Sequence, residues 1–359
     1  TITTVGGSAD KTLSLAGKTY SYTGDSITIE PETVFLWSPE QPHLYRFTLD
    51  CGKDHIRSYF ALRAMSIEQR NGVSLMCLNG KPYYFHGLLD QGYFSDGIYL
   101  PGNEQGFLDD ILKMKSLGFN MLRKHIKIEP DIFYYYCDLH GMAVFQDMVN
   151  NGSYSFLLDT ALPTVGIKRG LSRTPSRKRQ ERFLACAEQT VELLYNHPCV
   201  VYYTIFNEGW GQHNATKLYR HLKAMDGTRV WDSASGWFKD CESDVVSDHV
   251  YFKPIRMTGQ AIKPAVLSEF GGYSCAVAGH VYNTEKEYGY RKCPDPQALM
   301  NDLEQLYMNE VLPAVRQGVC ATVMTQLSDV EDETNGMITY DRQVIKVDAA
   351  RMRAIVDQL

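Results

Sequence analysis

The chain has 359 residues, of which 44% are apolar and 22% are charged, and its formal net charge is -6. These are ordinary values for a globular protein with a large core, and the charge excludes a broadly basic surface for nucleic acid. No apolar run approaches the roughly 20 residues that a membrane-spanning helix requires, so no membrane partner is expected. No basic-then-apolar leader opens the chain, but its first residue is Thr1 and not methionine. The compartment therefore stays open between cytoplasmic and periplasmic or secreted.

The first 72 residues are rich in Thr, Ser, Val, Ile and Tyr, and this composition predicts short antiparallel strands. Turn signals occur at Gly24-Asp25 and at Cys51-Gly52-Lys53-Asp54. An immunoglobulin-like β-sandwich usually takes about 100 residues. We therefore assign residues 1–72 to a small, incomplete sandwich domain of this type, with a first strand or two missing or rearranged.

Residues 73–359 alternate apolar strand candidates with amphipathic helix candidates, which predicts a (β/α)8 barrel. The eight predicted strands lie at 83–88, 121–124, 143–146, 200–206, 230–233, 244–251, 265–268 and 321–327. The main predicted helices lie at 107–117, 130–139, 182–195 and 296–317. The longest insertion, residues 150–176, is predicted to form a wall over the barrel mouth.

The cysteines and histidines give no sign of a metal site. Nine cysteines are irregularly spaced without a C-x-x-C pair, which is typical of scattered core residues and not of a disulfide framework or a zinc site. The ten histidines are spread singly, and no His-x-His follows a predicted strand. This argues against a metal-dependent barrel hydrolase. We expect no required cofactor, and an accessory Mg or Na ion near carboxylates stays open.

Two glutamates directly follow apolar strand candidates. Glu208 comes after residues 200–206 and Asn207, and Glu269 comes after residues 265–267 and Ser268. Active sites of strand-helix barrels lie at the carboxyl ends of the strands, so both carboxylates are expected at one site. Such a pair can cleave a glycosidic bond, one group protonating the leaving oxygen and the other attacking the sugar. The alternative is that each glutamate caps a helix or forms an ion pair.

Several motifs resemble those of glycoside hydrolase family 2, the group of β-galactosidases, β-glucuronidases and β-mannosidases. They are His197-Pro198 leading into Phe206-Asn207-Glu208, Ser268-Glu269-Phe270-Gly271, Asn79-Gly80-Lys81-Pro82 with His86-Gly87, and Trp37-Ser38-Pro39-Glu40. The resemblance implies a catalytic barrel with the acid/base on strand four and the nucleophile on strand seven, positions that Glu208 and Glu269 match. It also implies a retaining, exo-acting β-glycosidase, most simply a β-galactosidase, acting on oligosaccharides or glycoconjugates by double displacement.

The resemblance also implies residues that bind the sugar. Asn207 matches the asparagine that binds the hydroxyl beside the reacting carbon, and Tyr251 resembles the tyrosine that hydrogen-bonds the nucleophile. Trp210 either stacks on a sugar face or packs its loop. The remaining candidates follow predicted strands and either bind sugar hydroxyls or, for the three aspartates, cap helices; they are Asp90, His125, Asp147 and Asp329.

Departures from the family pattern fall at positions that bind the sugar in family members. The family's common strand-eight tryptophan aligns with Thr325, and the Asn-x-Lys element of glucuronidases aligns with Glu333-Thr334-Asn335. Without that lysine, a uronic carboxylate loses its partner, so glucuronidase activity is disfavoured. A non-catalytic carbohydrate-binding relative with the same barrel is the alternative hypothesis. A homo-oligomer is compatible with either.

Overall fold

The computed structural model describes residues 1–6, 10–150, 152, 155, 162, 174–239 and 241–359. Nine short strands precede the barrel in the described part of the chain. They are β1 (Ile2–Thr3), β2 (Asp10–Leu15), β3 (Lys18–Thr23), β4 (Ser26–Ile27), β5 (Tyr45–Cys51), β6 (Asp54–Phe60), β7 (Met65–Arg70), β8 (Val73–Leu78) and β9 (Lys81–Pro82).

The first strands form a four-stranded antiparallel sheet in the order β3-β2-β5-β6, beside a two-stranded β1-β4 ribbon. Its small core is built from Leu13, Leu15, Tyr45 and Leu49. The turn predicted at residues 51–54 is confirmed, because Cys51 pairs with Asp54 across a two-residue loop. Strands β7, β8 and β9 form a separate antiparallel sheet. The assignment of residues 1–72 to an incomplete immunoglobulin-like sandwich stays a prediction.

Eight parallel strands form a nearly closed barrel, as the sequence predicted. They are β10 (Phe85–Asp90), β11 (Met121–Lys124), β12 (Ala143–Asp147), β13 (Val200–Asn207), β14 (Val230–Ser235), β15 (Val246–Val250), β16 (Ala265–Gly271) and, after the two-residue pair β17 (Tyr273–Ser274) and β18 (Arg291–Lys292), β19 (Val319–Thr325). The hydrogen-bonded order is β14-β13-β12-β11-β10-β19-β16-β15. The two end strands are brought together just before β15, where Asp244 N donates to Trp231 O at 2.9 Å.

Burial explains why these segments became barrel strands. Every residue of β10, β11, β12, β13, β14, β16 and β19 is buried. Parallel strands are covered on both faces, so they read as continuous apolar runs without alternation. Gly87 in β10 is required by close packing, because a Cβ there would lie 2.1 Å from Met121 O of the next strand.

Seven α-helices in the described part of the chain surround this barrel or follow its last strand. They are α1 (Gln105–Ser116), α2 (Asp131–His140), α3 (Arg177–Leu194), α4 (Ala215–Met225), α5 (Pro296–Leu306), α6 (Leu312–Arg316) and α7 (Ala349–Val356). In this part of the chain, no helix combines the length and apolarity needed to cross a bilayer. Most of the insertion predicted to wall the barrel mouth lies outside the described residues.

One predicted helix is wrong in detail. Residues 296–317 were expected to form a single helix, but the chain passes from α5 through a π-helical turn, Tyr307–Val311, into the short α6. Pro313 stands at the start of α6. Proline has no N–H to donate to the preceding turn and its ring crowds that turn's carbonyl, which favours a local change of helix type there.

Candidate active site

A cavity of about 650 Å³ opens at the carboxyl ends of the barrel strands. Its lining residues come from several strand ends and from the loop that follows β19. Those that enter the argument below are Gln91, His125, Asn207, Glu208, Trp210, Tyr251, Glu269, Tyr290, Thr325, Glu333 and Asn335. The structure therefore brings both predicted glutamates and four of the seven other predicted site residues to one space.

Glu208 and Glu269 face each other across this cavity. One carboxylate oxygen of each, with one ring nitrogen of His249, lie within 4.8 Å of one another. Glu208 directly follows β13 and has a φ of +53°, in the left-handed region that non-glycine residues rarely adopt. Such conformations persist where the surrounding structure imposes them, and they cluster at functional sites.

Arg123 lies inside the barrel and joins several strand ends. Its Nε donates to both oxygens of Asp147 at 3.0 and 3.1 Å, its Nη1 donates to Glu269 Oε1 at 3.1 Å, and its Nη2 donates to Asn207 Oδ1 at 2.9 Å. Its side chain is 1% exposed. Burial alone would lower the pKa of Arg123, but Asp147 and Glu269 outweigh it and raise the pKa. The guanidinium therefore stays charged and holds Asn207 and Glu269 in fixed positions.

His249 contacts both glutamates. Its Nδ1 lies 2.8 Å from Glu208 Oε1 and 3.5 Å from Glu269 Oε2, and its side chain has no solvent exposure. Burial lowers the pKa of His249 to about 4, with Glu269 opposing and Arg123 reinforcing that shift. The imidazole is therefore neutral at pH 7, and Nδ1–H is the tautomer that can donate to Glu208.

Tyr251 supplies a second contact to Glu269. Its hydroxyl hydrogen-bonds Glu269 Oε2 and lies 2.9 Å from Thr325 Oγ1. Its ring stacks on Tyr290 with centroids 3.8 Å apart. Burial and then the charge of Glu269 raise the pKa of Tyr251 well above its usual value, so the phenol stays a donor. The predicted contact between Tyr251 and the Glu269 carboxylate is thus present.

Trp210 and His125 also line the cavity. Trp210 Nε1 donates to Gly152 O at 3.2 Å, which fixes the plane of the indole. His125 Nδ1 lies 2.8 Å from Asp147 Oδ2. Burial alone would raise the pKa of Asp147, but Arg123 and His125 outweigh it and lower the pKa. Asp147 therefore orients His125 and does not itself line the cavity.

The other two predicted aspartates are also paired with buried cations. Asp90 Oδ2 lies 2.9 Å from Lys124 Nζ. Asp329 Oδ1 accepts from Lys346 Nζ at 2.6 Å and from Gly336 N at 2.8 Å. Neither aspartate is among the residues that line the cavity. A direct sugar contact from them stays a prediction, and the contacts observed are ion pairs within the protein.

A group of polar residues in and beside the cavity wall was not predicted from the sequence. Gln91, Gln326 and Glu333 form a hydrogen-bonded set, with Gln326 Nε2 also donating to Asn335 Oδ1 at 2.7 Å. Residues 333–335 had been noted only for lacking the lysine of glucuronidases. His249 was likewise missed as a site residue. The signal for it was its place two residues before Tyr251 at the end of a predicted strand.

Two described clusters have side chains of the kinds that bind metals. In the first, Asp138 accepts from Tyr59, His197 and the Cys199 backbone, and burial raises the pKa of the Cys199 thiol well above its usual value. Both oxygens of Asp138 are thus engaged in hydrogen bonds, which connect helix α2 to the start of β13. The second is Glu208, His249 and Glu269, whose contacts are described above. The expected absence of a required cofactor stays a prediction.

Seven of the nine cysteines are buried, as expected for scattered core residues. They are Cys51, Cys77, Cys137, Cys199, Cys275, Cys293 and Cys320.

The barrel and the paired carboxylates at its strand ends define the class of protein, an arrangement typical of glycoside hydrolases. The model of the family "Glycosyl hydrolases family 2, TIM barrel domain" matches residues 68–344. The chain therefore belongs to glycosyl hydrolases family 2, and the resemblance inferred from its motifs is confirmed.

Curated relatives include two bacterial β-galactosidases. That of Priestia megaterium (strain DSM 319 / IMG 1521) is 25% identical over 264 residues, covering 68% of this chain and 24% of the relative. That of Enterobacter cloacae is 28% identical over 230 residues, covering 62% of this chain and 20% of the relative. The chain thus spans a quarter or less of the length of these relatives.

Solved structures of the same family share the fold. A β-galacturonidase from Eisenbergiella tayi bound to galacturonate has a TM-score of 0.70 and 17% identity, covering 98% of this chain and 66% of that one. A β-D-glucuronidase of Dictyoglomus thermophilum has a TM-score of 0.72 and 16% identity, covering 98% and 64%. At these identities the likeness is one of fold.

Proposed function

We propose that this chain is a retaining, exo-acting β-glycosidase that hydrolyses a terminal β-linked sugar, most simply galactose, from an oligosaccharide or glycoconjugate. The observation that carries the proposal is the approach of Glu208 and Glu269, each of which has a carboxylate oxygen within 4.8 Å of one on the other. Retaining enzymes hold their two carboxyl groups about 5–5.5 Å apart, whereas inverting enzymes need about 6.5–9.5 Å to admit a water molecule. The curated β-galactosidase relatives support the choice of sugar.

Glu269 is the proposed nucleophile. Arg123 donates to its Oε1 and Tyr251 donates to its Oε2, and both contacts stabilise the ionised carboxylate and fix its direction. Attack by Glu269 on the anomeric carbon forms a glycosyl ester and breaks the bond to the leaving oxygen. Arg123 also donates to Asn207 Oδ1, and Asn207 is the proposed partner of the sugar hydroxyl next to the anomeric carbon.

Glu208 is the proposed acid/base. It gives its proton to the leaving oxygen as the glycosidic bond breaks, and it then takes a proton from the water that attacks the glycosyl ester. That water supplies the new oxygen on the anomeric carbon, and release of the ester returns Glu269 to its carboxylate form. Two inversions at one carbon give net retention. His249 Nδ1–H, at 2.8 Å, orients the Glu208 carboxyl group through both steps.

The test is hydrolysis of aryl β-glycosides of galactose, glucose, mannose, glucuronic acid, fucose and arabinose by the parent chain, Glu208→Gln and Glu269→Gln. Glu192→Gln, which removes an exposed carboxylate on helix α3, is the matched control. We expect turnover of one sugar, at least about 1,000-fold slower in both site variants and unchanged in the control. Proton NMR should show the β anomer as the first product.

Two results would count against the proposal. A first product with the α configuration would contradict retention. Binding of sugars without turnover of any glycoside would favour the non-catalytic relative.

A further inference from the structure

Glu333 lies in the loop after the last barrel strand and lines the candidate cavity. Gln326 Nε2 donates to Glu333 Oε2 at 2.7 Å, and Gln91 Nε2 donates to the same oxygen at 3.1 Å. The two amides are also joined to each other, Gln91 Nε2 donating to Gln326 Oε1 at 2.9 Å. The carboxylate is thus anchored through one oxygen. Within the described residues no hydrogen bond reaches its other oxygen, Oε1.

This anchored carboxylate belongs to the same sugar-binding space as Glu269. Gln326 follows Thr325, whose hydroxyl contacts Tyr251, and Tyr251 in turn bonds Glu269. Burial raises the pKa of Glu333, Gln326 and His125 oppose that rise, and the charge of Glu269 adds to it. Glu333 and Glu269 line the same cavity, as a contact to the reacting sugar unit requires.

The cavity wall has carboxylates but lacks a cation to balance a charged sugar. Glu331, Asp332 and Glu333 are successive lining residues, and no Lys or Arg is among the described residues that line the cavity. Lys346 reaches the backbone of this wall at Thr334 O, but its Nζ is paired with Asp329. A uronic carboxylate placed here would face like charges without a partner, whereas sugar hydroxyls can donate to them.

Asn335 provides a second group without a partner on the same wall. Its side chain is 1% exposed and lines the cavity, and its Nδ2 makes no hydrogen bond to any described residue. Buried amide donors are normally satisfied by protein or water. Glu333 therefore offers an acceptor and Asn335 a donor on one wall, which matches two neighbouring hydroxyl groups, one donating and one accepting.

We propose that Glu333 and Asn335 are the specificity-determining pair of this site, binding two adjacent hydroxyl groups of an uncharged sugar and rejecting uronic acids. The inference rests on the proposed function, because it names the sugar class of the same site. It sets this chain apart from the uronidases with which it shares a fold.

The test is calorimetric binding of the methyl β-glycosides of galactose, glucose and mannose, each compared with its uronide. The chain is used as wild type, Glu333→Gln, Glu333→Asp and the exposed control Glu192→Gln. We expect one neutral sugar to bind at least about tenfold tighter than its uronide. Glu333→Gln should weaken the neutral sugar about tenfold and narrow the gap to its uronide. Glu333→Asp keeps the charge, so it should weaken the neutral sugar while still rejecting the uronide.

Because binding needs no turnover, this result is separate from the proposed hydrolysis. Selective binding without hydrolysis would contradict the glycosidase proposal but support the inference that the site binds an uncharged sugar. Equal affinity for a neutral sugar and its uronide, unchanged selectivity in Glu333→Gln, or no binding of any of the six ligands would each overturn the inference. The control should retain wild-type affinity and selectivity.

Discussion

Replacing Tyr251 by phenylalanine removes a single hydroxyl from the cavity while leaving the ring supported. The ring stacks on Tyr290, with centroids 3.8 Å apart and planes inclined by 9°, and this contact does not depend on the hydroxyl. The lost group donates to Glu269 Oε2 and lies 2.9 Å from Thr325 Oγ1. Arg123 still holds the other Glu269 oxygen at 3.1 Å. The variant therefore isolates one of two contacts that orient the proposed nucleophile.

The size of the effect follows from the charge on the acceptor. A hydrogen bond to a charged group is worth about 1.5–3 kcal/mol. Each 1.36 kcal/mol of barrier corresponds to about a tenfold change in rate, so Tyr251→Phe should slow the reaction by about 10- to 150-fold. The loss should appear in kcat/KM, because Glu269 acts in the first chemical step.

The assay is steady-state hydrolysis of the best aryl β-glycoside by wild type and Tyr251→Phe, with Tyr340→Phe as the matched control. Tyr340 lies outside the cavity lining and its hydroxyl makes a long hydrogen bond of 3.4 Å to Phe94 O. The control should stay within about twofold of wild type. A loss of less than threefold in Tyr251→Phe would refute the reasoning, since the hydroxyl would then contribute little to the placement of Glu269.

Three further outcomes are expected. Arg123→Met leaves two buried carboxylates without their cation and should lower the unfolding free energy by about 3–5 kcal/mol in urea titrations; a loss below about 1 kcal/mol would contradict the assigned role. Gly209→Ala puts a methyl group 2.1 Å from the Phe238 ring, at a φ of +72° that alanine rarely adopts. The strain should displace Glu208, so kcat should fall at least about tenfold. An unchanged kcat would show that the Phe238 ring moves aside. Burial lowers the pKa of His86 from an ordinary value of 6.5 to about 3 in the folded protein. The neutral imidazole therefore contributes its full stabilisation above pH 6.5, and this contribution is lost as the pH falls toward 3. The loss should reach about 2 kcal/mol between pH 7.5 and 5 and should shrink in His86→Gln; a flat profile in wild type would refute it.

The barrel and its carboxylate pair could be predicted because their signals are local. Apolar runs such as residues 200–206 are buried on both faces, so composition alone marks them as barrel strands. Glu208 and Glu269 each follow such a run, and strand ends of a barrel converge on one face. The π-helical turn before Pro313 also had a local signal, the proline itself, which the helical pattern around it concealed.

The contacts of His249 and Asp329 could not be predicted, because they join residues far apart in the chain. His249 meets Glu208 across 41 positions, and Asp329 is engaged by Lys346 and by a backbone N–H. A strand-end aspartate that binds sugar and one that pairs with a lysine look the same in sequence. Only the placement of the partner separates them, and that placement follows from the closed barrel.

The charges around the two glutamates differ, and this difference supports the proposed roles of Glu269 as nucleophile and Glu208 as acid/base. Two ionised carboxylates with oxygens within 4.8 Å of each other would repel by about 3 kcal/mol at an effective dielectric constant of 20. A single shared proton removes that repulsion. Arg123 places its positive charge against Glu269, whereas Glu208 is met by the neutral imidazole of His249. The positive charge beside Glu269 suits a carboxylate that attacks, and the neutral imidazole beside Glu208 suits a group proposed to donate a proton to the leaving oxygen.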